Sequence, residues 1–284
     1  MAHLRKLSHA HIVRVIGTYV LGRKISILLY PVAQYNLDSF LHTMNETTAT
    51  KTLNSMRSSC ANFFSCLSTT LKYIHSTYTK HMDIKPKNIL VCGNYTGGPD
   101  QYTVFVADFG IARSYQELNA TETDGPTLFT RKYAAPEVIL QDRRGLSADI
   151  FSLGCVFLEM IAALSGTSTP LIENEIHDNN QTLSESYGTT ILTTDVLQIF
   201  LESASDCSYH TNSTALRTEL SGRGSWKILG APVLRSSANL GELIGDMLRE
   251  EPDIRPSACD LASYFYSRRL CCDVGPLGLR AHGQ

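Results

Sequence analysis

The chain has 284 residues, 43% hydrophobic and 18% charged, and its 25 Lys and Arg against 27 Asp and Glu leave a formal net charge of −2. That length can bury a large core, and the composition excludes a chain disordered throughout. Near-neutral charge without a polybasic block gives no electrostatic reason to expect nucleic acid or an anionic membrane as the main partner.

No membrane span is expected: the longest apolar run, 149–164, is interrupted by Ser152 and Glu159 and falls short of the ~20 residues a bilayer needs. The first nine residues carry charges but no apolar segment with a cleavage site, so an intracellular location is expected, the cytoplasm first and the nucleus left open. The eight cysteines (Cys60, Cys66, Cys92, Cys155, Cys207, Cys259, Cys271 and Cys272) form no C-x-x-C pair and read as reduced thiols.

In chain order, Ile12–Gly22 and Lys24–Tyr30 are two β-branched and aromatic runs around Leu21-Gly22-Arg23, which predicts a hairpin. Between Leu53 and Thr79, the residues Met56, Cys60, Phe63, Leu67, Leu71 and Ile74 recur at spacings of three and four. They predict a long helix with one buried stripe. Short strands follow around Ile89–Cys92 and Val104–Ala107, separated by a turn-rich loop. The polar stretch from Arg113 to Arg131 reads as a long surface loop.

The run 149–164 is apolar on nearly every side and predicts a central buried helix. Residues 165–225, rich in Ser, Thr, Asn and Glu, read as an elaborated, partly mobile insert. Helical pattern resumes over 240–248 and 257–266, and 271–284 reads as a flexible tail. No internal repeat is visible.

The sharpest local pattern is His81-Met-Asp-Ile-Lys-Pro-Lys-Asn88, between the long helix and a strand. With Asp108-Phe-Gly110 twenty-five residues after Asp83 and Ala135-Pro-Glu137 beyond the polar loop, it resembles, in order, the H-R-D-x-x-x-x-N, D-F-G and A-P-E motifs of the protein kinases. Asp149-Ile-Phe-Ser-Leu-Gly154, Asp253-Ile-Arg-Pro256 and Leu7-Ser-His-Ala-His-Ile-Val13 are similar to three further stretches of that superfamily. The resemblance covers about residues 1–270.

The implied fold is α+β and kinase-like, with a mostly α-helical C-lobe and an incomplete N-lobe holding the end of the family's helix αC and its fourth and fifth strands. It divides the chain into 1–33 (N-lobe remnant and hinge), 34–270 (C-lobe with the insert) and the tail. Phosphoryl transfer needs in-line positioning and neutralisation of phosphate charge more than covalent chemistry. By the resemblance, Asp83 would accept the proton of the substrate hydroxyl, Lys85 would offset charge on the transferred phosphate, and Asn88 and Asp108 would hold Mg²⁺, a hard cation that takes oxygen ligands.

The cosubstrate would be ATP, its adenine met by Tyr30, Pro31, Ala33 and Leu90, with Tyr30 the gatekeeper and residues 31–33 the hinge. The partner would be a protein substrate with a Ser or Thr acceptor, since K-P-x-N and Thr130 resemble the Ser/Thr-directed members. Gly110 would permit a backbone excursion after the metal ligand. Glu137 and Arg255 would form a buried ion pair, and Asp149 would accept hydrogen bonds from the catalytic-loop backbone. Leu4, Val15, His81 and Phe109 would stack as the regulatory spine.

Two departures stand out. Met82 replaces the arginine of H-R-D, which removes the usual cationic partner of an activation-loop phosphate. The glycine-rich loop, the V-A-I-K lysine and the αC glutamate would all lie before position 1, so the chain reads as N-terminally truncated. It is expected to bind ATP weakly at best and to leave a strand edge exposed. A serine/threonine kinase domain is the favoured reading. The alternatives are a pseudokinase-like interaction module and, against A-P-E and D-x-R-P, a small-molecule phosphotransferase.

Overall fold

In the computed structural model, residues 7–93, 101–110, 112–114, 130–142, 145–165, 208–221 and 240–265 are described. Residues 11–13 enter along the end of strand β6 (Tyr102–Val106), where the Val106 amide donates to His11 O at 2.8 Å and the Val13 amide to Val106 O at 3.1 Å. The chain then runs out into the predicted hairpin, β1 (Arg14–Leu21) antiparallel to β2 (Lys24–Tyr30). Gly22 takes φ +59° at its tip, a left-handed conformation that side chains disfavour. Ile16, Val20, Leu21 and Ile25 are all more than 60% exposed, on both faces of this ribbon.

After the short strand β3 (Tyr35–Asn36) comes helix α1 (Leu37–Glu46), which the sequence reading did not anticipate. Asn36 caps it: its Oδ1 accepts from the Ser39 amide at 2.9 Å, while Ser39 Oγ accepts from the Asn36 amide at 3.2 Å. This is a capping box with serine in place of the usual Glu or Gln. Leu37, Phe40, Leu41 and Met44 form its buried face. Helix α2 (Thr50–Ser76) follows, burying the predicted stripe and also Phe64 and Ala61 beside it.

Strand β4 (Thr79–Lys80) pairs with β7 (Arg113–Ser114), and β5 (Ile89–Gly93) lies between β3 and β6 in an antiparallel three-stranded sheet. Downstream lie a one-turn helix α3 (Pro136–Ile139) and the central helix α4 (Ser147–Ser165). By length and composition α4 could cross a membrane, yet 83% of its apolar window is inside the fold, and it forms the core predicted for it. Phe64, Phe157 and Phe265 meet there with ring centroids 4.7–6.1 Å apart, fastening α2 and α4 to the end of helix α7 (Ala258–Tyr264). Each such fully buried side chain contributes about 1.5–3 kcal/mol.

Part of the presumed insert is folded. Residues 208–221 include helix α5 (Ser213–Ser221), which packs on α6 (Leu240–Met247) and buries Tyr209, Leu216 and Leu220. Its Ser- and Thr-rich face hid two leucines spaced by one helical turn. The remainder of the insert, the tail and Leu4 lie outside the described residues. The four described interior cysteines and the exposed Cys259 are all free thiols, and burial pushes the Cys92 thiol up to about 11.

Candidate active site

Strand β4 delivers the chain into the loop 81–88, and a 3₁₀ turn with proline at its start (Pro86–Asn88) leads directly into β5. Proline suits that position because its missing N–H is not needed there. The Asn88 side chain reaches back, its Nδ2 donating to Asp83 O and to Asp83 Oδ2, each at 2.8 Å. Lys85 Nζ lies 2.7 Å from Asp83 Oδ2 and donates to Thr130 Oγ1 at 2.7 Å. The Thr130 hydroxyl in turn donates to Asp83 Oδ1 at 2.7 Å. Four residues named from sequence, from two segments more than forty positions apart, thus close one network.

Burial pushes the Asp83 carboxyl up, but hydrogen bonds from Lys85, Thr130 and Asn88, with the Lys85 charge, outweigh it and hold the group below the usual carboxylate range. Asp83 is therefore ionised at neutral pH.

Asp149, on the first turn of α4 and 1% exposed, holds the start of the loop. Its two oxygens accept from the His81 and Met82 amides, each at 2.8 Å, as the resemblance implied. Met82 has φ +69°, a costly conformation for a side chain with no local partner, and Asp149 pins it. His75 Nε2 adds a third contact to Asp149 at 3.1 Å. Burial raises the Asp149 pKa, while the hydrogen bond and charge of His75, then His81, lower it further, and the net direction is down.

His81 is fully buried, and burial pushes its pKa below 6.5 against the opposing charge of Asp149. Its Nε2 meets Ala107 O at 2.9 Å and its Nδ1 accepts from the Asp83 amide at 3.3 Å, which together select the neutral tautomer protonated on Nε2. The ring packs 4.6 Å from that of Phe109, while Val15 sits partly buried against the core.

The Ala107 amide donates to Asn88 O at 2.9 Å, so Asp108 follows immediately on the strand pairing that positions Asn88. The unusual backbone conformation falls on Asp108 itself, φ +58°, and not on Gly110. Gly110 serves differently from the expectation: its amide donates to Asp108 Oδ1 at 3.3 Å, and a Cβ there would stand 3.0 Å from that oxygen. An alanine there would ask the Asp108 carboxylate to give by a few tenths of an ångström.

Leu90, half-buried in β5, pairs with Asn36, and residues 31–34 pass beside the end of the same strand. There Cys92 Sγ donates to Val32 O at 3.5 Å and the Gly93 amide to Gln34 Oε1 at 2.8 Å. Pro31 and Ala33 are half-buried. Tyr30 ends β2, 48% exposed, with the Arg14 guanidinium 5.2 Å over its ring.

Arg255 and Glu137 form a two-pronged buried pair at 2.7 and 2.8 Å. The remaining guanidinium N–H groups donate to the carbonyls of Ser147, Glu250 and Arg249, so all five donors are used. Sequence reading missed His75 and also a cluster around Glu159, which accepts from Tyr133 and Tyr209 and pairs with Lys132. The signal for the latter was present: one carboxylate inside an apolar helix needs buried partners.

A family model described as the protein kinase domain matches residues 1–267, and the chain belongs to that family. Its fold is accordingly the α+β kinase fold. Among relatives, cyclin-dependent kinase E-1 of Arabidopsis thaliana is 30% identical over 168 residues, 56% of this chain and 33% of the relative. Mitogen-activated protein kinase kinase kinase 2 of Arabidopsis thaliana is 33% identical over 158 residues, 56% and 22% of the two chains. Cyclin-dependent kinase 4 of Mus musculus is 41% identical over 90 residues, 32% and 26%. The chain spans less than half the length of these curated relatives.

Proposed function

We propose that this chain is a serine/threonine protein kinase domain, with Asp83 the acceptor of the substrate hydroxyl proton, Lys85 the cation facing the transferred phosphoryl group, and Asn88 and Asp108 the Mg²⁺ ligands. The observation that carries the reading is the closed network of Asp83, Lys85, Asn88 and Thr130. It places a charged carboxylate, a compact cation and an amide within one hydrogen-bond radius, which is what positioning and charge neutralisation require. The Ser/Thr preference is supported by Thr130 on Asp83 and by the kinds of kinase the relatives are named as.

The residues fit the metal. Asn88 spends its amide nitrogen on Asp83, which leaves Oδ1 as a hard oxygen donor, and Asp108 presents an exposed carboxylate. Among the described residues no cluster of three His, Cys, Asp or Glu side chains forms a metal site. Two protein oxygens suit Mg²⁺, which keeps waters and phosphate oxygens as its other ligands. Tyr30, Pro31, Ala33 and Leu90 would meet the adenine. Bound ATP supplies the phosphoryl group and Mg²⁺ offsets its charge.

Asp83, ionised and weakly basic, orients the acceptor hydroxyl and takes its proton as the new P–O bond forms and the bond to the ADP oxygen breaks. Lys85 stays paired with the negative charge throughout. Radiolabel transfer from ATP to peptides bearing Ser, Thr or Tyr tests the reading. Asp83→Asn is expected to lower the rate by 10²-fold or more, and an unchanged rate refutes the assignment.

A further inference from the structure

We propose that Tyr209, acting through Glu159, is a positioning residue for the protein acceptor: it holds residues 130–133 so that Thr130 stays on Asp83. This rests on the kinase reading above. Thr130 opens a tight turn, closed by the Tyr133 amide on Thr130 O at 3.1 Å and the Ala134 amide on Arg131 O at 3.3 Å. The orientation of the Thr130 hydroxyl therefore depends on what holds that turn.

Three side chains fix it to one atom, Glu159 Oε1: the Tyr209 hydroxyl donates at 2.7 Å, the Tyr133 hydroxyl at 3.0 Å, and Lys132 Nζ lies at 2.9 Å. The Tyr209 amide also donates to Lys132 O at 3.0 Å, and Ser152 Oγ donates to Tyr133 O at 2.9 Å. Tyr209 thus grips both the backbone of the turn and the carboxylate that anchors it, and it is 0% exposed.

The anchor and the catalytic loop share one rigid element. Asp149 holds the loop from the first turn of α4, and Glu159 holds the acceptor segment ten residues on, roughly 15 Å along the same helix. Burial, and then the Glu159 charge, push the hydroxyl pKa values of Tyr133 and Tyr209 up, so both remain donors throughout the neutral range.

The test compares wild type, Tyr209→Phe and Glu159→Gln, with Phe265→Leu as a core reference remote from the turn. Hydrogen exchange should speed about tenfold at the Tyr133 and Ala134 amides in the first two variants, as expected for one lost hydrogen bond to a charged group, and stay unchanged at Asn88 and Ala107. Peptide KM should rise about tenfold with ATP KM within twofold, whereas Phe265→Leu lowers the melting temperature without moving peptide KM. Unchanged exchange at 133 and 134 overturns the inference whatever the activity, as does altered exchange with peptide KM unmoved. Altered exchange in a chain whose wild type transfers nothing supports the anchor and overturns the kinase reading alone.

Discussion

Replacing Asp149 by alanine tests how far one buried carboxylate holds the site together. Its oxygens accept from the His81 and Met82 amides at 2.8 Å and meet His75 Nε2 at 3.1 Å, in a position 1% exposed. Removing the carboxylate strands two backbone donors where water does not replace it, at about 1–3 kcal/mol each, so the loss is about 2–6 kcal/mol. Against a typical total of about 5–15 kcal/mol this is a large fraction. A midpoint of about 4 kcal/mol corresponds to a melting temperature lower by roughly 8–16 °C for a domain of this size. Asp149→Asn keeps one acceptor oxygen but turns an amide toward the other N–H, and should lose about half as much. Thermal melts followed by circular dichroism measure the shift, and hydrogen exchange at His81 and Met82 localises it. An alanine variant within ~0.5 kcal/mol of wild type, the range of ordinary surface changes, refutes the reasoning.

Arg255→Met leaves Glu137 buried and unpaired and strips three carbonyls of their donor, so urea unfolding should show a loss of about 3–5 kcal/mol. Adding Glu137→Met should restore part of it. Gly154→Ala would place a Cβ 3.0 Å from Met247 Cβ and 3.2 Å from Leu248 Cδ2. Overpacking of about 1–3 kcal/mol should exceed the ~1 kcal/mol alanine gains in helix propensity, and a stabilised variant in urea refutes this. Stability should also fall with acid in two stages. His81 is depressed below 6.5 in the fold, so the unfolded chain binds its proton first and stability is lost as pH drops below about 6.5. Asp83 and Asp149, held low, add their loss only below about pH 4. Melting temperatures from pH 7.5 to 5 should slope less in His81→Phe.

What could be read from the sequence was what is local. The hairpin, the stripe of α2 and the apolar run of α4 follow from periodicity within a few turns, and the loop 81–88 carries three of its four polar partners within six residues. Helix α1 escaped because its cap uses Ser39 where Glu or Gln is the recognisable signal. Helix α5 escaped because Leu216 and Leu220 are outnumbered in it by Ser and Thr residues. The Glu159 cluster joins residues 26 and 50 positions apart, and no spacing rule connects them. Gly110 was legible as the glycine after Asp108-Phe109, but the close approach of the Asp108 carboxylate to it lies in how the segment folds back on itself.

The buried ions of this domain share a physical logic that stability alone does not supply, since a well-packed apolar group is often as stabilising as a buried pair. Asp149 holds two loop amides, Arg255 holds the carbonyls of Arg249 and Glu250, which lie outside any helix, and that of Ser147 at the start of α4, and Glu137 is the counter-charge that makes the guanidinium tolerable. Backbone groups outside helices and sheets must still be satisfied when buried, and a charged side chain satisfies several at once with fixed geometry. A site assembled from loops therefore requires interior charge. In this fold Asp149 stands where helix α4 meets the loop that bears Asp83, and the Glu137–Arg255 pair joins α3 to the start of α4, so the interior that looks most expensive is the part that fixes how these segments meet.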